Sequence, residues 1–221
     1  LAGFLADAGQ QVLLVDADIQ PTLSSYYPLA QQADAGLHQL ITTGSIDGTI
    51  SRTRIPGLDI VISDDPEGSI ENWILHTPDG RVRMRYALRD LKDYDVVLID
   101  CPPSIGELTV NALSASDRAV IVTEPGFFAL RGAEVDHIFD EAALYVLTSV
   151  SEPFGIAPLE ALARNVPVIV SRQSGVAEVL ANVVPVDFWN VEDLAGRIVE
   201  VLRRPELGRE LAEGGRKALG E

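Results

Sequence analysis

Three aspartates at the ends of apolar runs are the residues whose placement first suggests chemistry. Asp16 closes VLLVD, Asp18 follows two positions on, and Asp100 closes DVVLID. Open α/β sheets meet their ligands at the carboxyl ends of strands, so carboxylates there can face a bound group. The plainer role for each is to cap the loop or helix that follows. A second pair of acids, Glu152 and Glu160, brackets PFGIAPL, and its plain reading is a capped helix with a solvated face. Cys101 is the only cysteine, which excludes an intrachain disulfide and a cysteine-based zinc site. Following an apolar strand, it reads as a buried, inert thiol. His38, His76 and His137 lack metal-ligand spacing. Arg81, Arg85 and Arg89 recur every fourth residue and read as a solvated helix face.

The elements that must position these residues follow from hydrophobic periodicity. Strands are expected at 12–16, 58–63, 95–100, 118–125, 144–149, 166–171 and 182–186, as short runs rich in Val, Ile and Leu. Helical patterns lie at 1–8, 36–43, 79–92, 106–115, 131–142, 156–164, 174–181, 191–203 and 205–218. Residues 64–78 carry Asp64, Asp65, Pro66, Gly68 and Pro78 and read as a surface loop. The alternation implies an α/β fold: a doubly wound, mostly parallel sheet of about seven strands with helices on both faces, a Rossmann-like three-layer sandwich. One continuous sheet is expected, in the order 58–63, 12–16, 95–100, 118–125, 144–149, 166–171, 182–186. Trp73 and Trp189 are expected to be packing residues.

With 221 residues, 47% of them hydrophobic and 23% charged, the chain is long enough for a full core. Its formal charge of −16 opposes attraction to nucleic acid and to anionic membranes. LAGFLADAGQQ lacks a basic leader region and is too short to span a bilayer. No membrane partner, no nucleic-acid partner and a cytoplasmic location are expected. The chain begins without methionine, in what reads as the middle of a helix, which suggests truncation.

Residues 1 to about 135 resemble the ParA/MinD family of deviant Walker ATPases, on VLLVDADIQ and on YDVVLIDCPPSIGELTVNALSASDRAVIVTEPGFFALRG. The resemblance implies that Asp18 helps position the attacking water near the γ-phosphate and magnesium, although Ile19 stands where proline is usual. It also implies that Asp100 ends the Walker B strand and acts on magnesium through water, with Pro102, Pro103 and Gly106 in the switch segment after it. The family's glycine-rich phosphate loop and its lysines are not found here, and phosphoryl transfer depends on those groups for positioning and charge stabilisation. Asp16, Asp18 and Asp100 are therefore expected to be vestigial, with no catalysis, no resident metal, and magnesium only if ATP binds.

From Ala143 to the C-terminus the sequence resembles instead the donor-binding end of GT-B retaining glycosyltransferases, the glycogen synthase and family 4 type, on LYVLTSVSEPFGIAPLEALARNVPVIVSRQSGVAEVL. The resemblance implies that Glu152 binds sugar hydroxyls and Glu160 the ribose hydroxyls. Backbone N–H groups at Phe154, Gly155 and Ile156 would meet a diphosphate at the helix start. Ser174 stands where that family usually has glycine and is expected to crowd the donor pocket. The family's cationic residues for the leaving group, and its acceptor domain, have no counterpart here.

Residues 1–221 are thus expected to form a single hybrid α/β domain, with a ParA-like part at 1–135 and a glycosyltransferase-like part at 136–221. The leading expectation is a hybrid or constructed scaffold without a complete catalytic site. It would require no cofactor, bind a nucleotide sugar weakly at most, and be able to form a homodimer through exposed sheet edges. The alternatives are a fragment of a ParA-type partition ATPase and a nucleotide-sugar-dependent glycosyltransferase.

Overall fold

The computed structural model describes residues 1–102, 106–123, 139–140, 142–149, 156–180 and 182–220. These form two compact units, Leu1–Asp117 and Arg118–Glu221.

In the first unit the order is α1 (Ala2–Asp7), β1 (Val12–Asp16), α2 (Thr22–Tyr26), β2 (Leu29–Gln31), α3 (Leu37–Thr43), β3 (Ile50–Thr53), β4 (Leu58–Val61), α4 (Ser69–His76), a 3-10 turn at Gly80–Val82, α5 (Arg83–Leu88), β5 (Val96–Asp100) and α6 (Glu107–Ala115). The sheet order is β2-β3-β4-β1-β5. β1 runs parallel to β4 and β5, whereas β3 is antiparallel to both β2 and β4. Every residue of β1 is buried, as an uninterrupted apolar run in a parallel sheet requires. Side chains alternate across the sheet. Leu13 and Val15 enter a core with Leu37, Leu40, Ile41, Ile70, Ile74, Met84 and Leu108, which are supplied by α3 to α6. Asp64 starts α3 from a distant loop, its carboxylate accepting from Gly36 N–H (2.9 Å) and His38 N–H (2.7 Å).

The second unit contains β6 (Ala119–Thr123), β7 (Ala142–Leu147), α7 (Ala157–Ala163), β8 (Val168–Ser171), α8 (Gly175–Val179), β9 (Val184–Val186), α9 (Val191–Arg203) and α10 (Pro205–Ala218). Its sheet is parallel throughout, in the order β6-β7-β8-β9. The sheet is covered on both faces, as a doubly wound sheet must be. Tyr145 and Leu147 pack with Ala161, Leu162 and Val176 of α7 and α8 on one face. Leu144 and Val146 pack with Ile198 and Val201 of α9 on the other.

The α/β class and all seven expected strands are present, with no bound shifted by more than two residues. Three expectations are corrected. The single seven-stranded sheet is instead two sheets, and β5 and β6 do not pair among the described residues. Both have apolar side chains on each face, which marks a strand covered by helices without showing which neighbour pairs with its edge. β2 and β3 were not foreseen, because LAQ and ISRT are short and mixed in polarity. The loop expected at 64–78 contains α4. Its turn residues are the helix start: Asp65 accepts from Ser69 Oγ (2.6 Å) and Ile70 N–H (2.8 Å), and Gly68 adopts φ +66°. Ile70 and Ile74, one helical turn apart, then enter the core. The expected helix at 131–142 lies almost wholly outside the described residues. Among the described residues no helix is long and apolar enough to cross a membrane.

Candidate functional site

β1 and β5 are adjacent and parallel, and Asp16 stands opposite Asp100 at their carboxyl ends. Ala17 N–H donates to the Asp100 carbonyl (2.9 Å), which continues the ladder one step beyond the strands. The sequence-predicted acids Asp16, Asp18 and Asp100 are therefore brought to one place, but their surroundings differ.

Asp16 is fully buried. Its carboxylate accepts from Ser24 N–H (2.7 Å), Ser24 Oγ (2.5 Å) and Asp18 N–H (3.3 Å). It is an internal anchor for the turn and for α2. Asp18 is half-buried and accepts from Gln20 N–H (2.9 Å), an Asx turn that stiffens the loop after β1. Asp100 reaches solvent. Its carboxyl is nevertheless held above the usual aspartate range, first because the strand ends desolvate it and then because Asp16 and Asp18 repel its charge.

Among the described residues, no three His, Cys, Asp or Glu side chains converge closely enough to enclose a metal ion. The fit is instead to a hydrated hard cation, which needs one or two carboxylates and takes its other ligands from water and phosphate. Asp18 and Asp100 are the residues able to hold such an ion, and Asp100 would gain from the positive charge. Cys101 follows Asp100. Burial, with the charges of Asp100 and Asp18, pushes its thiol up to about 12, so it stays protonated and unreactive at neutral pH.

Two residues that sequence reasoning missed complete the site. Ser24 Oγ accepts from Ser63 N–H (2.9 Å), and Ser63 Oγ donates to the Asp18 carbonyl (2.6 Å). The only sequence signal was a serine beside each strand-end loop, and nothing in the sequence joins positions so far apart.

Beyond Asp100, Pro102 leaves the strand and Pro103 lies outside the described residues. Gly106 opens α6, where a β-carbon would meet the Glu71 carboxylate. α6 is tied down on its far side. Glu107 accepts from Arg81 Nε and Nη2, both at 2.7 Å. Asn111, fully buried, donates to the Gly80 carbonyl (2.6 Å) and accepts from Met84 N–H (2.9 Å). Arg81 thus has a structural partner, while Arg85 is exposed and Arg89 reaches Asp90 (3.4 Å). His38 and His76 are exposed, and His137 lies outside the described residues.

In the second unit Glu160 is an exposed residue of α7, and Ile156 is exposed at the helix start. Glu152, Phe154 and Gly155 lie outside the described residues. Ser174 is fully buried and caps α8 by accepting from Val176 N–H (3.2 Å), so its hydroxyl serves its own helix. Trp73 packs beneath the Arg83 guanidinium (5.6 Å to the ring centroid). Trp189, expected to be packed, is 74% exposed and stands 4.1 Å, centroid to centroid, from Phe188.

A parallel α/β sheet with carboxylates at the ends of two adjacent strands belongs to the class of nucleotide-binding α/β folds. The chain belongs to the AAA domain family, whose model matches residues 1–144. A second model, glycosyl transferases group 1, matches residues 120–218. Among curated relatives, the chromosome partitioning protein ParA of Caulobacter vibrioides is 35% identical over 134 residues, 58% of this chain and 50% of that one. The sporulation initiation inhibitor protein Soj of Bacillus subtilis is 35% identical over 136 residues, 60% of this chain and 53% of that one. The chain spans about half the length of these relatives. Among solved structures, cobyrinic acid a,c-diamide synthase from Mycobacterium smegmatis aligns with a TM-score of 0.59 at 22% identity, covering 94% of this chain and 88% of that one. A plasmid partition protein from Borrelia burgdorferi aligns with a TM-score of 0.59 at 17% identity, covering 91% and 87%. These structural likenesses concern the fold alone.

Proposed function

We propose that the first unit is the carboxylate-bearing part of a ParA/Soj-type partition ATPase, and that its glycine-rich phosphate loop is supplied from outside these 221 residues. The comparisons favour this reading over a hybrid scaffold without a catalytic site. The observation that carries it is the pairing of Asp16 and Asp100 at the ends of adjacent parallel strands, which brings Asp18, two residues past the end of β1, close enough for its charge to act on Asp100, while Asp16 is locked by Ser24. Asp18 holds and orients a water for attack on a terminal phosphate. Asp100 would help to hold a hydrated cation, accepting hydrogen bonds from its water ligands. Magnesium, when bound, would neutralise phosphate charge.

The lysines of this chain are Lys92 and Lys217. Lys92 precedes β5, at the opposite end of the strand from Asp100, and Lys217 lies in α10. Lys92 thus lies away from the carboxyl ends of β1 and β5, and in this reading the lysines that meet phosphate belong to the added loop. The charge of −16 repels nucleic acid, so we assign these residues to nucleotide turnover and not to DNA contact.

The test joins a strand and a glycine-rich, lysine-bearing loop ahead of Leu1 and measures phosphate release from MgATP. Turnover that Asp18→Ala and Asp100→Ala each reduce at least a hundredfold supports the reading. Turnover indifferent to both substitutions, or none from a folded protein that binds MgATP, refutes it.

A second reading applies to the second unit, because a glycosyl transferase model matches residues 120–218. There Glu160 would take the ribose hydroxyls of a nucleotide sugar, with Glu152, Phe154, Gly155 and Ile156 ahead of it. Calorimetry with UDP-glucose, GDP-mannose and ADP-glucose tests it. Heat that a Glu152→Ala, Glu160→Ala variant loses supports it, and no heat from the native chain ends it.

A further inference from the structure

The loop carrying Asp18 is closed by two serine hydroxyls, one from α2 and one from the loop after β4. α2 has only five residues, none of them buried, so hydrophobic packing does little to seat it. What fastens it is Ser24, whose N–H and hydroxyl both donate to Asp16. The same hydroxyl accepts from the N–H of Ser63, two residues past the end of β4. Ser63 in turn donates its own hydroxyl to the backbone carbonyl of Asp18. The chain of contacts runs from Asp16 to Ser24, to Ser63, and back to Asp18, clasping the loop between β1 and β4.

We propose that Ser24 and Ser63 are positioning residues for Asp18. Ser24 fixes the buried carboxylate from which the loop springs, and Ser63 fixes the peptide of Asp18 itself. Together they hold that carboxylate beside Asp100. The catalytic meaning of this clasp rests on the nucleotide-hydrolysis reading above, whereas its existence can be tested without nucleotide.

The test is amide hydrogen exchange by NMR on the 221-residue chain, with the amides of Asp18, Gln20, Ser24 and Ser63 as reporters and those of Val12 to Val15 in β1 as the internal reference. Ser63→Ala should speed exchange at Asp18 and Gln20 about tenfold or more while Ser24 keeps its protection. Ser24→Ala should speed exchange at Ser24, Ser63 and Asp18 together, and Ser24→Thr, which keeps the hydroxyl, should restore all three. β1 should be unchanged throughout. The proposal is overturned if Ser63→Ala leaves Asp18 and Gln20 as they were. It is equally overturned if protection falls uniformly through β1 without rescue by threonine, since that marks a general loss of stability. Should Ser24→Ala fail to fold, Ser63→Ala and Ser24→Thr still decide the matter. A clasp that passes these tests in a protein whose loop-joined form does not hydrolyse ATP leaves the clasp standing and removes only its catalytic meaning.

Discussion

Asp16 and Asp100 face each other across adjacent parallel strands, yet one is sealed beneath three hydrogen bonds and the other opens to solvent. Chain position made them look equivalent, and their surroundings give them opposite duties. Removing Asp16 orphans both donors of Ser24, so Asp16→Ala should cost about 1–3 kcal/mol. Asp100→Ala should cost nothing at neutral pH, since it removes a charge that partial burial and the carboxylates of Asp16 and Asp18 disfavour. Urea unfolding of the two variants, side by side, checks this.

Asp100 and Asp65 should pull stability in opposite directions with pH. The Asp100 carboxyl is raised by partial burial and by the charges of Asp16 and Asp18. Its contribution is therefore full below the unfolded value and is lost as pH rises through the folded value. Asp65 feels a raising effect of burial, outweighed by hydrogen bonds from the Ser69 hydroxyl and the Ile70 and Ser69 amides, so its carboxyl is lowered. Its contribution is present above the unfolded value and is lost as pH falls through the folded one. Unfolding between about pH 3 and 7, where carboxylates titrate, should show Asp100→Asn gaining on the native chain as pH rises. Asp65→Asn should lose on it over the same range.

Asn111 joins α6 to the turn before α5 through two buried hydrogen bonds. Asn111→Ala leaves the Met84 amide without its partner and the Gly80 carbonyl with the Arg83 N–H alone, and should cost about 1–3 kcal/mol. Thermal unfolding would show it as a clear fall in Tm. Gly80 itself cannot carry a side chain, because a β-carbon there would strike the backbone carbonyl of Ile74. Gly80→Ala should destabilise by a similar amount.

The Cys101 thiol, pushed up to about 12, should react with a thiol-specific chromogenic disulfide at pH 8 only as fast as the protein opens. Denaturant should release full reactivity. Prompt reaction of the folded chain would contradict the burial on which that value rests.

Seven strands were legible because their runs of Val, Ile and Leu stand out from the helical patterns between them, as with VLLVD, buried throughout. β2 and β3 were not, since an edge strand such as ISRT needs no such run. α4 was hidden by its own start: Asp65, Pro66 and Gly68 signal a turn whether or not a helix follows. The three aspartates could be found from strand ends alone. Ser24 and Ser63 could not, because a hydroxyl announces no partner and theirs is reached only after β1 and β4 have paired. β5 was expected between β1 and β6, yet among the described residues it is the edge strand of its sheet, because an apolar run shows burial of the strand's faces and not which neighbour pairs with its edge.

If Asp18 and Asp100 form the carboxylate half of an ATP site, nucleotide should bind beside them through magnesium. Calorimetric titration of the loop-joined protein with the magnesium complex of a non-hydrolysable ATP analogue tests it most directly. Binding that needs magnesium, and that Asp100→Asn weakens at least tenfold while Arg85→Ala leaves it alone, is the predicted result. Binding equally tight without magnesium, or unaffected by Asp100→Asn, would contradict the account.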